Sequence, residues 1–101
     1  MSSRPSLTRL PNEQFARFVV ERVRKIPRGF VCTYGDIYRP APRQVGQVLA
    51  TTEEDLPWQR VVRADGIAPM GPRQLELLRQ EGVPIRGGRV DMSRARWKRT
   101  G

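Results

Sequence analysis

Tyr34-Gly35-Asp36-Ile37-Tyr38-Arg39-Pro40-Ala41-Pro42-Arg43-Gln44-Val45-Gly46-Gln47-Val48-Leu49-Ala50 is the stretch on which the fold turns. Its first five residues allow a turn or two of helix. Pro40 and Pro42 end that helix, because proline lacks the N–H that the next turn needs. Pro42 also suits the first position of a new helix, where its fixed φ is already helical. Over 43–50, Val45, Val48 and Leu49 share one face, and Arg43, Gln44 and Gln47 lie outside that stripe. Two helices joined by a tight break, the second showing Arg and Gln outward, form the outline of a helix-turn-helix.

Upstream, Phe15, Phe18, Val19, Val23 and Ile26 recur at helical spacing, with Asn12 as the expected N-cap. The helix must stop at Pro27-Arg28-Gly29, and Phe30-Val31-Cys32-Thr33 reads as a short strand. Downstream, Thr51 to Asp55 is a polar, acidic loop, and Leu56 to Val62 is the most apolar stretch of the second half. Asp65-Gly66 signals a turn. A helix is expected over 72–81, with Leu75, Leu77 and Leu78 inward and Gly82 ending it. Val83 to Val90, broken by Gly87-Gly88, reads as a small hairpin. The expected organisation is a flexible N-terminus (1–11), one α+β domain (12–92) and a basic C-terminal tail (93–101).

The 101 residues suffice for one domain with a modest core. Nineteen basic against 10 acidic residues give a net charge of +9, and 17 of the basic residues are arginine. Such an excess favours a polyanionic partner, nucleic acid first. Arginine suits phosphate forks and stacking on bases. No apolar run approaches the roughly 20 residues of a membrane span, and the N-terminus lacks the apolar segment of a secretory signal. With one cysteine and no histidine, an internal disulfide is impossible and no metal site or cofactor is expected. Triads that need histidine are excluded.

Four segments then occur in a fixed order: Ile26-Pro27-Arg28-Gly29-Phe30-Val31-Cys32-Thr33-Tyr34-Gly35, Pro42-Arg43-Gln44-Val45-Gly46, Pro57-Trp58-Gln59-Arg60-Val61-Val62 and Leu77-Leu78-Arg79-Gln80-Glu81-Gly82. Together they resemble the DNA-binding domain of the O6-alkylguanine-DNA alkyltransferases, whose segments read IPxGxVxTYG, ARxVG, PCHRV and LLxxEG. The resemblance covers roughly residues 12–84 and implies a winged helix-turn-helix-like α+β domain. The family accepts its alkyl group on the cysteine of PCHRV, activated through the neighbouring histidine. Here those positions hold Trp58 and Gln59. Tryptophan has no nucleophilic heteroatom and glutamine cannot relay the proton, so alkyl transfer cannot run there. This replacement is the mark of the alkyltransferase-like subfamily, which binds O6-alkylguanine without repairing it and passes the lesion to nucleotide excision repair. Trp97-Lys98 extends the match.

By this resemblance the chain has no catalytic residue, and its DNA-binding residues are Thr33, Tyr34, Arg43, Gln44, Gly46 and Gln47. Arg43 matches the finger that enters through the minor groove and replaces the extruded base, and Tyr34 the tyrosine that rotates the nucleotide out. The lesion pocket comprises Tyr34, Pro57, Trp58 and Met70, with Arg73 a second candidate for its lip. Arg60 and Glu81 are expected to be structural, and Cys32 a buried small hydrophobe. Two departures stand out. Only eight residues separate Tyr34 from Arg43, about five fewer than is usual in the family, and Thr52 or its neighbour stands at the family's asparagine hinge. The implied partners are duplex DNA carrying O6-alkylguanine and an excision-repair damage sensor of the UvrA type. The implied setting is a monomer in the bacterial cytoplasm, associated with the nucleoid. Three other readings remain open at this point: a small winged-helix DNA-binding protein without lesion preference, an active transferase using Cys32, and a ribosomal or RNA-binding basic protein, which accounts for the charge but for none of the four segments.

Overall fold

The computed structural model describes residues 13–98. Helix α1 (Glu13–Arg24) carries Glu13 in its first turn and Arg22 and Arg24 in its last, the charge order its dipole favours. The cap expected at Asn12 lies outside the described residues. α1 buries Phe15, Val19, Val20 and Val23. Phe18, expected in that stripe, is only half-buried, and Val20 takes the inward place. The Phe18 ring instead meets Tyr38 edge-on at 5.7 Å.

Strand β1 (Cys32–Thr33) is shorter than expected, because Phe30 is exposed and the ladder begins after it. β1 pairs in parallel with β2 (Val61–Val62), Cys32 opposite Val61 and Thr33 opposite Val62. Between them run α2 (Tyr34–Ile37) and α3 (Pro42–Thr51), the two helices of the helix-turn-helix. The short spacing between Tyr34 and Arg43 is met by shrinking α2 to one turn. Pro42 opens α3, and Thr51, expected in the loop, is its last residue. Thr52 caps it, its N–H donating to Val48 O. The Thr52 hydroxyl accepts from the Glu54 N–H, one hydrogen bond where an amide could make several.

Trp58–Arg60 forms a single 3-10 turn leading into β2. Helix α4 (Pro72–Gln80) differs from its expected packing: Leu78 and Gln74 are buried, while Leu75 and Leu77 are half-buried. The hairpin of β3 (Ile85–Arg86) and β4 (Arg89–Val90) is the wing, turned by Gly87 and Gly88 at φ 61° and 80°. It is pinned to the body at Gly66, whose carbonyl accepts from Val90 N–H at 2.9 Å. A Cβ at Gly66 would stand 2.3 Å from Val90 O, and its φ is +86°, so only glycine fits there.

The segment expected as a basic tail is docked as far as it is described. Met92–Ala95 forms α5, Ala95 is fully buried, and Trp97 packs on the helical core. Val31 N–H donates to Ala95 O and Trp97 N–H to Val31 O, at 2.9 and 2.8 Å. Two cores result. Phe15, Val19, Ile26, Val45, Val48 and Val61 anchor the larger, under the three helices, and Val31, Val62, Leu78 and Val90 the smaller, under the wing.

A candidate lesion pocket beside the second helix of the helix-turn-helix

A mostly apolar cavity of about 310 Å³ opens beside α3. That volume lies at the small end of ligand sites, which run roughly 300–1,000 Å³. Tyr34 lines it from the start of α2, Gly46, Leu49 and Ala50 from α3, and Trp58 from the 3-10 turn. The Tyr34 ring lies against α3 at Gly46, where a Cβ would touch Tyr34 Cε2 at 3.6 Å. Burial raises the Tyr34 pKa, so its phenol stays neutral and keeps a proton to donate. Met70 stands at the mouth, 65% exposed.

Arg43 and Gln47 are exposed on α3, and Gln44 is half-buried. Arg43, Gly46, Gln47 and Ala50 follow one another at helical spacing, with small residues between the long ones. Such a stripe lets a helix backbone come close to a groove while an arginine projects ahead of it. Arg43 sits in the first turn of α3, where its charge opposes the helix dipole. Among the described residues no carboxylate pairs with it.

Thr33, expected to touch DNA, and Pro57 and Arg73, expected at the pocket, do not line the cavity. Thr33 is buried, and its hydroxyl accepts from Asp36 N–H while the Asp36 carboxylate accepts from Thr33 N–H, a capping box for α2. Pro57 is the cap of the 3-10 turn. Cys32 is 4% exposed and faces a different cleft, with Asp36, Arg96, Trp97 and Lys98.

Behind Trp58, Glu81 gathers the turn. It accepts from Gln59 Nε2 at 2.7 Å and from Arg60 Nε and Nη2 at 2.9 and 3.1 Å. Arg60 Nη1 donates on to Ile26 O at 2.9 Å. Gln59 thus donates a hydrogen bond to Glu81 without any titration near neutral pH. Burial works to raise the Glu81 pKa, but the bonds from Arg60 and Gln59 and the Arg60 charge outweigh it and hold the carboxyl below its ordinary range. Asp36 is held low in the same way, Arg96 and Thr33 overcoming the effect of burial. A folded-state pKa below the unfolded one contributes stability above the unfolded value, lost as pH falls through the folded value. The urea midpoint is therefore expected to fall between about pH 6 and pH 3, and to fall less in Glu81→Gln. An identical profile in that variant would show that Glu81 carries none of the dependence.

Pattern reading missed Gln74. It is fully buried at the cavity floor. Its Nε2 donates to Gln59 O at 3.0 Å and Val61 O at 2.8 Å, and its Oε1 accepts from Met70 N–H at 3.0 Å. One amide therefore ties the Trp58 turn to the Met70 loop. The available signal was its place four residues before Leu78, on the same helical face.

Residues 14–83 match the family model described as 6-O-methylguanine DNA methyltransferase, DNA binding domain. The chain is 42% identical over 97 residues to the DNA base-flipping protein of Escherichia coli (strain K12), covering 84% of this chain and 75% of that one. It is 37% identical over 86 residues to alkyltransferase-like protein 1 of Schizosaccharomyces pombe, covering 72% of this chain and 80% of that one. The solved structure of S. pombe Atl1 with damaged DNA containing O6-carboxymethylguanine superposes with a TM-score of 0.77 at 30% identity, over 89% of this chain and 100% of that one. The ordered motifs, the winged helix-turn-helix and these matches agree: the chain belongs to the 6-O-methylguanine DNA methyltransferase DNA-binding-domain family, among its alkyltransferase-like members.

Proposed function

We propose that this chain is a non-enzymatic sensor of O6-alkylguanine in duplex DNA. The observation that carries the reading is Trp58, which lines the cavity from the segment where the transferases present their acceptor cysteine. An indole offers apolar area and a π-face to a purine but no nucleophile. The relatives support a DNA partner: one is named for base flipping, and another was solved with damaged DNA.

The sequence of events follows from charge and shape. The net charge of +9 brings the protein to any duplex by counterion release. α3 enters the minor groove, whose edges distinguish base pairs poorly, which suits a scanner of damage rather than of sequence. Extrusion of a base costs a few kcal/mol, least for a badly paired one. O6-alkylguanine pairs poorly and so flips at lower cost. Arg43 takes the vacated place and the cavity holds the base. No thiol reaches it, since Cys32 is buried on β1 and opens to another cleft. The complex persists, and a bent, protein-marked lesion is a signal that an excision-repair sensor of the UvrA type can read.

The test is one duplex with guanine or O6-methylguanine at a single position. The reading expects tighter binding to the alkylated duplex and no transfer of a labelled methyl group to the protein. Equal affinities, or label on the protein, would sink it.

A further inference from the structure

We propose that the groove between α1 and α2 is a second DNA site, which grips a backbone phosphate of the flanking strand through Arg22 and Arg39. The inference rests on the DNA-binding reading above and names a subsite outside the lesion cavity. The groove measures about 640 Å³ and is walled by Phe18, Arg22, Asp36, Tyr38, Arg39 and Arg96.

Its charge does not cancel. Asp36, the one carboxylate in its wall, already accepts from Arg96 Nε at 3.0 Å and Nη2 at 2.6 Å. Arg22 and Arg39 therefore leave the groove with an excess of two positive charges, and among the described residues no carboxylate pairs with either. Arg22 is also held in place. Its guanidinium lies over the Phe18 ring, 5.1 Å from the centroid, and Phe18 is braced by Tyr38. Stacking of this kind restrains a guanidinium while leaving its in-plane N–H donors for a planar or tetrahedral anion.

The place of the groove selects the anion. Arg39 lies in the turn that joins α2 to α3, four residues before Arg43. Four residues span at most about 14 Å, and a strand carries a phosphate for each 3.4 Å or so of duplex axis. A duplex engaged by Arg43 thus runs its next few phosphates past Arg39. α2 itself divides the two sites: Tyr34 lines the lesion cavity, Gly35 and Asp36 the groove. An acidic peptide has matching charge, but continuity with Arg43 favours the strand.

The double variant Arg22→Gln/Arg39→Gln tests this on duplexes carrying guanine or O6-methylguanine. Two lost phosphate contacts make the plot of log K against log salt shallower by about 1.8, so the variant's affinity loss is roughly tenfold greater at 50 mM than at 200 mM salt. The loss is expected to be equal on both duplexes, keeping their affinity ratio, and Arg22→Lys/Arg39→Lys is expected to restore the slope. An unchanged slope in the glutamine variant overturns the proposal, even if that variant loses affinity for poly-glutamate. A wild-type affinity ratio of one would count against the lesion reading and leave the slope result standing.

Discussion

Arg43→Ala is expected to lower affinity for a duplex with one O6-methylguanine by about 30- to 150-fold, against a few-fold for Arg94→Ala. A side chain that stacks on bases is worth about 1–3 kcal/mol, and hydrogen bonds to an orphaned base add to it, so a loss of about 2–3 kcal/mol follows. Each 1.36 kcal/mol is tenfold. Arg94 is exposed on α5, away from the cavity lining, and loses one phosphate contact at most. The fold does not confuse the comparison. Arg43 stands in the first turn of α3, where alanine removes an unfavourable charge and is the best helix former, so the variant is as stable as its parent or slightly more so. Salt separates the two roles further. The Arg94 loss shrinks as salt rises, because it is counterion release, whereas much of the Arg43 loss remains because stacking is not screened. Equal losses in titrations at two salt concentrations would make Arg43 one more phosphate contact.

Why the helix that carries Arg43 was legible in the sequence and the burial of Gln74 was not has a physical reason. Pro40, Pro42 and the Val45–Val48–Leu49 stripe act within a few residues of each other, so periodicity and proline sterics already define the helix-turn-helix. The hairpin was equally local, because Gly87-Gly88 supplies the positive φ that its turn requires. What escaped depends on partners far along the chain. Val31 bonds Ala95 and Trp97, and Arg96 meets Asp36, each across 60 residues or more, so an apparent basic tail is a docked segment. Phe18 leaves the core stripe because Tyr38 and Arg22 cover its ring at the surface. Gln59 could be seen to have lost the proton chemistry of histidine. That it still bonds Glu81, 22 residues on, is set by the tertiary fold and not by any local pattern. Gln74 fails by composition: a pattern that counts apolar residues passes over an amide whose burial is made possible by three backbone groups.

That burial sets the second large effect. Gln74→Leu is expected to cost about 2–4 kcal/mol of folding stability, a fall in Tm on the order of 10–25 °C for a domain of this size. Leucine fits the volume but leaves Gln59 O, Val61 O and Met70 N–H without their partner, and at least the Val61 bond lies out of reach of water. Stranding one buried polar group costs about 1–3 kcal/mol, and three are touched here, two of them nearer solvent. Function falls by a separate route. Trp58 and Met70 wall the cavity from two segments that Gln74 holds together, so in the variant they are free to drift apart. Affinity for undamaged duplex, carried by surface arginines, is expected to hold below the melting point, while the preference for O6-methylguanine falls toward one. Denaturant titration and paired binding measurements read the two effects independently. A variant that is destabilised yet keeps its full lesion preference would make Gln74 a strut of the fold alone. One that is stable within about 0.5 kcal/mol would mean that water replaces the amide at all three groups.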